Sequence, residues 1–315
     1  MKSLLVLAYN EENKIRNVIE DYIDLFDEII VIDDASKDKT KKIIENLNSS
    51  KIRLIRNKKN LGAGKSFELG INEFLQSKSK FLIKVDGDSQ FLKRDVIKMI
   101  DLFENRKADY IKGDRFWESG VEGNIPLIRY IGNSFASLLI KLSTGNWKIN
   151  DPLNGLIGFS KDGIKNFKLP KLFKRYGYPF YCVVHILSQS HQENLKIIQF
   201  QNTIVYKDEK SNLKPIGMFF KLIIFTLFSY FTKIKIKLKN SSLQMSALLD
   251  LLFVYLFSSF IYSFITFIRV RYFLFSGDES NWFVVTILFL SISLITFSFS
   301  QVSENKFLLQ KFEEH

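Results

Sequence analysis

The 315-residue chain has little of what a secreted or disulfide-bonded protein needs. Its single cysteine, Cys182, excludes an intrachain disulfide and fits a reducing compartment. The first ten residues carry one lysine and an apolar core too short for a signal peptide. Cys182, His185 and His191 have no partner at metal-ligand spacing, which favours packing positions. Internal repeats and low-complexity linkers are also missing.

Charge of one sign is in excess. The chain has 45 Lys and Arg against 33 Asp and Glu, a formal net charge of +12. This balance favours anionic partners, which include nucleic acid, an acidic membrane surface and phosphorylated substrates. The length fits one compact domain with an appendage, and the 31 phenylalanines concentrate toward the C-terminus.

The most informative stretch is residues 81–90, where a short β-favouring run leads directly into Asp86 and Asp88. An Asp-x-Asp after a strand places both carboxylates on one side, at the strand end where open α/β sheets bind ligands. Such a pair suits Mg²⁺ or Mn²⁺ together with a diphosphate. By itself the pattern is more often a solvated Asp-Gly-Asp turn, so the rest of the chain has to distinguish the two.

Apolar runs alternate with helical spacing through the first two thirds of the chain. The pattern predicts an α/β fold with a doubly wound, mostly parallel sheet. The polar turns after its strands are then expected to converge on one edge. Strands are predicted at residues 4–8, 28–32, 52–55, 81–85, 108–112 and 197–206, and helices at 11–25, 39–47, 64–75, 96–103, 127–142 and 179–192.

The segment from Gly62 to Ser66 contains Gly-Lys-Ser but is not a Walker motif, because position 59 is a lysine. It predicts a glycine-rich approach to a helix N-terminus. The amide groups there are expected either to face a phosphate or to allow tight packing.

Six short motifs occur in a fixed order between residues 3 and 215. Together they resemble the family 2 glycosyltransferases with a GT-A fold, and within them the branch of dolichyl-phosphate mannose synthase and the bacterial polyprenyl-phosphate glycosyltransferases. The motifs are Ala8-Tyr9-Asn10-Glu11, Val31-Ile32-Asp33-Asp34-Ala35-Ser36, Asn60-Leu61-Gly62, Asp86-Gly87-Asp88-Ser89-Gln90, Gly113-Asp114-Arg115 and Asp151-Pro152-Leu153-Asn154-Gly155.

The resemblance implies a role for each motif. Asp33 and Asp34 would lie by the nucleobase and ribose, with Ala8, Tyr9, Glu11 and Gly62 also on the donor side. Asp86, Asp88 and Gln90 would hold the metal and the donor diphosphate. Arg115 and Arg129 would surround the acceptor phosphate, with Asn133 where relatives carry a serine. The cationic clamp of relatives would fall on Lys207, Lys210 or Lys214, next to Ser211.

Asp151 has two possible roles. In a transferase with a hydroxyl acceptor it would be the general base. A phosphate acceptor has a second pKa near 6 and is already ionised, so Asp151 would then orient rather than deprotonate. Because Pro152 fixes the chain locally, we expect Asp151 to be presented to the site.

Beyond residue 215 the sequence becomes apolar. Residues 216–231 predict an interfacial helix, and residues 247–268 and 282–300 are long enough to cross a hydrocarbon core of roughly 30 Å. Asp250, near the end of the first span, is expected to reach the interface. Lysines at 233, 235, 237 and 239 favour a cytoplasmic start to that span, although Arg269 and Arg271 run against this.

The predicted organisation is a GT-A domain at 1–214, an interfacial segment at 215–242, a transmembrane hairpin at 243–302 and a cytoplasmic tail at 303–315. We therefore predict a metal-dependent, inverting glycosyltransferase of the cell (inner) membrane with its catalytic domain in the cytoplasm. It would move one sugar from a UDP- or GDP-sugar to a polyprenyl phosphate. Nucleic acid is not an expected partner, and homo-oligomerisation is left open.

Two alternatives remain at this point. The chain could extend a cell-surface glycan at a saccharide hydroxyl, with Asp151 as a true base. It could also be a non-catalytic scaffold that binds a nucleotide.

Overall fold

The computed structural model describes residues 1–116, 127–190, 195–203, 215–274, 279–309 and 312–314. These residues form two compact units. The catalytic unit comprises residues 1–227 with 311–315, and the anchor unit comprises residues 228–310.

The described residues of the catalytic unit form one eight-stranded sheet in the order β3-β2-β1-β4-β6-β5-β7-β8. All neighbouring strands are parallel except where β6 pairs with β4 and with β5. The strands are β1 Lys2–Ala8, β2 Glu28–Asp33, β3 Ile52–Arg56, β4 Phe81–Asp86, β5 Tyr110–Asp114, β6 Ile157–Ser160, β7 Ile197–Gln201 and β8 Phe312–Glu314.

Helices connect these strands and continue into the anchor unit. They are α1 Ile15–Tyr22, α2 Thr40–Glu45, α3 Ala63–Gln76, α4 Lys93–Arg106, α5 Leu127–Thr144, α6 Lys161–Ile164, α7 Tyr178–Ser190, α8 Pro215–Lys239, α9 Gln244–Arg269 and α10 Glu279–Leu309. The predicted doubly wound, mostly parallel sheet is confirmed.

The central strands are apolar on both faces because each face has its own core. In β1, Leu5 and Leu7 face the core formed with α3, α5 and α7, whereas Leu4 and Val6 face the core formed with α1 and α4. Burying one such side chain stabilises the fold by roughly 1.5–3 kcal/mol. The continuous apolar runs in the sequence therefore belong to strands covered by helices on both sides.

Two strands were not predicted. Strand β6 is antiparallel and lies between β4 and β5, so its pairing depends on partners far away in sequence. Strand β8 adds parallel to β7 at the sheet edge. The prediction of a last strand over 197–206 was too long, since β7 ends at Gln201; positions 204–206 lie outside the described residues.

Helix α8 belongs to both units. Its first half is part of the catalytic core: Leu222 is buried, and the Phe225 ring lies 4.8 Å from that of Phe173. Large apolar side chains on other faces of that half are exposed, among them Phe220, Ile224 and Leu227. A helix with one buried face and one exposed apolar face suits a membrane surface.

Within the described residues, three helices are long and apolar enough to cross a membrane, where the sequence predicted two. They cover Gly217–Lys239, Ser241–Tyr272 and Ser280–Asn305. By length and composition, α8 is thus a third candidate span.

The anchor unit contains a closed ionic cluster that the sequence did not predict. The Lys237 Nζ lies 2.5 Å from Asp250 Oδ2 and 3.0 Å from Glu304 Oε2, and the Lys233 Nζ lies 3.2 Å from Glu304 Oε2. All four side chains are at most 3% exposed. Tyr230 donates a hydrogen bond to the remaining oxygen of Asp250.

This cluster corrects two expectations. Asp250 is not exposed on the surface of the helix, because it is buried between lysines whose charge compensates its own. Of the four lysines, Lys235 and Lys239 are exposed and remain available as a topology signal, whereas Lys233 and Lys237 are neutralised inside the unit.

Candidate active site

The carboxyl ends of β1, β2 and β4 meet at one edge of the sheet. These three strands are neighbours in register, with Ala8 opposite Asp33 and Leu7 opposite Asp86. The direction of the chain connections reverses between β1 and β4, and open α/β sheets bind ligands at such a point. The predicted convergence of the polar turns is confirmed.

Backbone strain is concentrated at the predicted site. Of the seven non-glycine residues with positive φ in the described part of the chain, four lie in the predicted motifs or beside them. They are Asn10 (φ 58°), Ala35 (φ 62°), Ser89 (φ 58°) and Asp151 (φ 46°). Left-handed backbone is uncommon for residues other than glycine and often accompanies functional turns.

The Asp86-Gly87-Asp88 turn closes β4. Asp86 is one-third exposed, and its Oδ2 accepts a hydrogen bond of 2.6 Å from the buried ammonium of Lys84. The Asp88 Oδ1 accepts a hydrogen bond from the backbone N–H of Gln90. Gly87 lies against β1, where a Cβ would approach the carbonyl oxygen of Leu7 to 3.1 Å and Cγ of Glu11 to 3.5 Å.

This turn fits a hard divalent cation. Two partly exposed carboxylates supply the oxygen donors that Mg²⁺ and Mn²⁺ prefer. In the described ranges, no group of three or more His, Cys, Asp or Glu side chains could hold a metal ion. A cation at this turn would therefore take further ligands from water or from a bound diphosphate.

A cleft of about 680 Å³ opens beside β2 and β3. Its walls combine one aromatic ring, small residues and several cations. The lining residues are Tyr9, Ala35, Ser36, Lys37, Asp38, Arg56, Lys58, Lys59 and Asn60. A shallow cationic cleft with one exposed ring suits a nucleoside diphosphate, which offers a base to stack and phosphates to neutralise.

Asp33 and Asp34 support this cleft from beneath instead of lining it. Both are buried. Asp33 Oδ1 accepts from the N–H of Ser36, and its Oδ2 lies 3.1 Å from Nε of Arg56. The two oxygens of Asp34 accept from the N–H groups of Leu61 and Gly62. Asp34 therefore joins the second motif to the third, and Asp33 holds the second motif against Arg56 of β3.

The N-terminus of α3 is a packing site in this structure. The N–H of Gly64 donates to the carbonyl of Arg175, and the N–H of Lys65 to that of Lys174. Gly62 has φ 92°, and a Cβ there would lie 2.7 Å from Cα of Arg175. Two alternatives were expected for this glycine-rich segment, phosphate binding or tight packing, and the structure shows tight packing.

Asp151 and Arg115 form a further ionic pair, which is bidentate. Nε and Nη2 of Arg115 donate to the two carboxylate oxygens of Asp151 at 2.7 and 2.5 Å. Asp151 is fully buried, which contradicts the expectation that it is presented to the site. Asn154 also donates to its Oδ2. Because both oxygens are engaged and shielded, the geometry suits an orienting carboxylate better than a general base.

A second buried lysine supports that pair from below. The Lys112 Nζ donates to the carbonyl oxygens of Gly113, Asn150 and Asp151 at 2.8–2.9 Å. Burial lowers the pKa of Lys112 to about 8, and the charge of Asp151 partly opposes that effect. Burial also raises the pKa of Asp114, the last residue of β5. Lys112 thereby fixes the turn whose φ at Asp151 is 46°.

The structure describes only some of the remaining predicted residues. Asn133 lies in α5, buried, with its Oδ1 unpartnered in the described part of the chain. Arg129 belongs to α5 by its backbone, but its side chain lies outside the described residues. Lys207, Lys210, Lys214 and Ser211 also lie outside them, as does His191.

Three functional candidates were missed by the sequence analysis: Lys84, Lys112 and Arg56. The first two lie inside predicted strands, and a lysine within an otherwise apolar strand was the available signal. Arg56 gave no local signal, because its position beside Asp33 depends on the pairing of β2 with β3.

Comparison with known proteins agrees with this geometry. Residues 3–167, just over half of the chain, match the profile described as glycosyl transferase family 2. This chain belongs to glycosyltransferase family 2.

Relatives of this transferase include several archaeal proteins. An uncharacterised protein of Methanocaldococcus jannaschii is 33% identical over 65% of this chain and 88% of its own length. The UDP-N-acetylglucosamine–dolichyl-phosphate N-acetylglucosaminyltransferase of Methanococcus voltae is 30% identical over 55% of this chain and 74% of its own. A dolichyl-phosphate beta-glucosyltransferase of Dictyostelium discoideum is 35% identical over 32% and 34%.

The fold of the transferase also has a solved counterpart. Glucosyl-3-phosphoglycerate synthase from Mycobacterium tuberculosis, crystallised with uridine diphosphate, aligns with a TM-score of 0.56 at 19% identity. The alignment covers 73% of this chain and 80% of that one. At this identity the likeness establishes the GT-A fold alone.

Proposed function

We propose that the transferase moves a single sugar from a nucleotide diphosphate sugar to a polyprenyl phosphate at the membrane surface. The observation that carries the proposal is the state of Asp151. A saccharide hydroxyl needs a base to remove its proton, whereas an acceptor phosphate is already ionised near neutral pH. Since Asp151 is buried and paired with Arg115 through both oxygens, the site is better suited to the phosphate.

The relatives support the same class of acceptor. Two of them carry dolichyl phosphate in their names, and one of those names also contains UDP-N-acetylglucosamine. We therefore place the donor nucleotide in the cleft beside Tyr9 and Arg56, with its diphosphate toward Asp86 and Asp88.

Asp86 and Asp88 would hold the divalent cation, with Gln90 on the same turn. When bound, Mg²⁺ or Mn²⁺ supplies positive charge to the leaving diphosphate. The chain's own contribution is to orient: Asp34 fixes the loop that carries Gly62, and Lys112 and Arg115 fix the turn that carries Asp151. One direct displacement by the acceptor oxygen would invert the anomeric configuration. In this proposal Asn133 and Arg129 of α5 belong to the acceptor side.

We further propose that two helices, α9 and α10, cross the membrane and that α8 lies along it. Half of α8 is already used in the core of the catalytic unit through Leu222 and Phe225. After α10 the chain returns to the same unit, where β8 pairs with β7. A chain that leaves and re-enters one unit on one side of a membrane must cross an even number of times. A nucleotide-sugar donor places that side in the cytoplasm.

The proposal is tested by transfer of radiolabel in membranes that contain the full chain. Labelled UDP- and GDP-sugars are supplied with Mn²⁺, with Mg²⁺ or with a chelator, and lipid is extracted with chloroform and methanol. We expect metal-dependent label in a lipid from which mild acid releases the labelled sugar. Label in a larger saccharide, with none in acid-labile lipid, would contradict the proposal and favour glycan extension.

A further inference from the structure

Lys84 is an unusual residue for the centre of a sheet. It lies on β4 between β1, which runs parallel to it, and β6, which runs antiparallel, and it is 1% exposed. Its ammonium lies over the rings of Phe91 and Tyr178, 5.9 and 5.4 Å from their centroids. The anion that compensates it is Asp86, at 2.6 Å. A buried ammonium is costly unless it is well paired, so the fold depends on this contact.

The sixth motif is built around the same pair. Gly155 follows the Asp151 turn, and a Cβ placed on it would lie 2.9 Å from Asp86 Oδ2 and 3.1 Å from Lys84 Nζ. Glycine at this position therefore permits the contact between Lys84 and Asp86. The loop that carries Asp151 and the turn that carries Asp86 meet at this contact.

We propose that Lys84 is a positioning residue for the divalent cation and the donor diphosphate. Its ammonium holds Oδ2 of Asp86 and so leaves the other oxygen of that carboxylate for the cation. Its charge also opposes the charge of the cation, which keeps cation binding loose enough for release with the nucleotide product. This inference rests on the proposed function only in taking Asp86 and Asp88 as the cation-binding turn.

The physical basis is the interaction of like charges in a poorly solvated place. An ammonium within a few ångströms of a dication is repelled, and a buried site screens that repulsion much less than water does. A neutral side chain of similar length at position 84 would remove the repulsion. It would also release Asp86 from its fixed orientation, so the same substitution should improve cation binding and impair transfer.

The test uses the detergent-solubilised full chain with Lys84→Met. Mn²⁺ binding is measured directly from the electron paramagnetic resonance signal of the free ion, and transfer is measured separately at saturating Mn²⁺. We expect the Mn²⁺ dissociation constant to fall about tenfold and kcat to fall about tenfold. Unchanged or weaker Mn²⁺ binding by the folded variant would overturn the inference.

Lys161→Met is the matched control. Lys161 donates to the carbonyl oxygens of Leu75 and Ser77 and lies near the ring of Phe74. Like Lys84 it is a lysine beside an aromatic side chain, but it is only partly buried. Its partners are backbone carbonyls at the end of α3 instead of a carboxylate. We expect its Mn²⁺ dissociation constant to equal that of the unmodified chain.

Gly155→Ala separates orientation from charge. The added methyl group pushes on the pair but leaves the ammonium in place, so we expect lower kcat with Mn²⁺ binding that is equal or weaker. A fully active Gly155→Ala chain would overturn the inference even if Lys84→Met did not fold. If the unmodified chain transferred sugar without binding Mn²⁺, the metal part of the proposed function would fail as well. If Lys84→Met changed neither Mn²⁺ binding nor kcat, only this inference would fail.

Discussion

The two units both bury lysines against carboxylates, but in different ways. In the anchor unit, Lys233, Lys237, Asp250 and Glu304 enclose one another, with each side chain at most 3% exposed. In the catalytic unit, Lys84 is equally buried but its partner Asp86 keeps 34% of its side chain exposed. The anchor cluster is closed and neutral, and the catalytic pair is open on one side.

This difference separates a structural use of buried charge from a functional one. A closed, neutral cluster needs no ligand to compensate its charges, and it holds helices together in one register. An open pair at the carboxyl edge of the sheet keeps part of its carboxylate exposed to a ligand.

The largest effect is expected when the closed cluster loses one member. Glu304→Gln leaves two buried lysines with one carboxylate, and breaking such a network typically costs about 3–5 kcal/mol. We expect a strongly lowered thermal unfolding midpoint in detergent, with the transfer rate of each folded molecule unchanged. The double variant Lys237→Met, Glu304→Gln restores neutrality and should recover much of the loss. Equal midpoints for the single variant and the unmodified chain would contradict the account.

A comparable effect, but on chemistry, is expected at the open turn. Asp88→Asn keeps the shape of the side chain and removes its charge. Loss of one charge-stabilising group typically lowers kcat by about 10²–10³-fold. The unfolding midpoint should change little, because Asp88 is partly exposed. Full turnover at saturating Mn²⁺ would show that this carboxylate is not part of the metal site.

The sequence predicted the two units unequally, and the reasons are physical. Strands β1, β2 and β4 follow from continuous apolar runs, and their polar turns follow from strand polarity, because both signals are local. Strand β6 has only four residues and is fixed by pairing with β4 and β5, which the sequence does not place beside it.

The ionic contacts were missed for the same reason. In the sequence, Lys233 and Lys237 belong to a series of lysines at alternate positions, which indicates a topology signal. A spacing of four residues also places them on one face of a helix. Glu304, their shared partner, lies 67 residues beyond Lys237 and was assigned to a cytoplasmic tail. Lys84 lies within an apolar run of the sequence, which gives no sign of its ionic contact. Its surroundings include the rings of Phe91 and Tyr178, and Tyr178 is distant in sequence.

A smaller, pH-dependent effect is expected at Lys112. Its pKa is about 8 in the folded chain and near 10.5 when unfolded. Below pH 8 the ammonium is protonated in both states and its burial cost is fully present. Between pH 8 and 10.5 the unfolded chain binds the extra proton, so the free energy of unfolding rises with pH, by up to roughly 3 kcal/mol.

Thermal unfolding of the unmodified chain and of Lys112→Met from pH 7 to 10.5 measures this effect. Other lysines titrate in the same range, so the quantity of interest is the difference between the two profiles. We expect that difference to move in favour of the unmodified chain as the pH rises. Parallel profiles would mean that Lys112 is not held at a lowered pKa.

The smallest effect is expected from Arg115→Lys. Lysine keeps the charge but replaces two fixed donors by a single point, so the bidentate contact with Asp151 is lost. We expect a decrease in kcat of about tenfold with the same lipid product. An exposed helical pair provides the control: Arg16→Gln removes a contact with Glu20 typically worth about 0.3–0.5 kcal/mol and should leave transfer unaltered.

Competition between acceptors shows whether the acceptor is a phosphate. Purified full-length chain is supplied with one labelled nucleotide sugar and equal amounts of a polyprenyl phosphate, the polyprenol of the same length and a lipid-linked saccharide. We expect label on the polyprenyl phosphate alone, at a rate that the other two acceptors do not change. Transfer to the polyprenol or to the saccharide hydroxyl at a comparable rate would contradict it and would require a catalytic base that the buried, paired Asp151 does not provide.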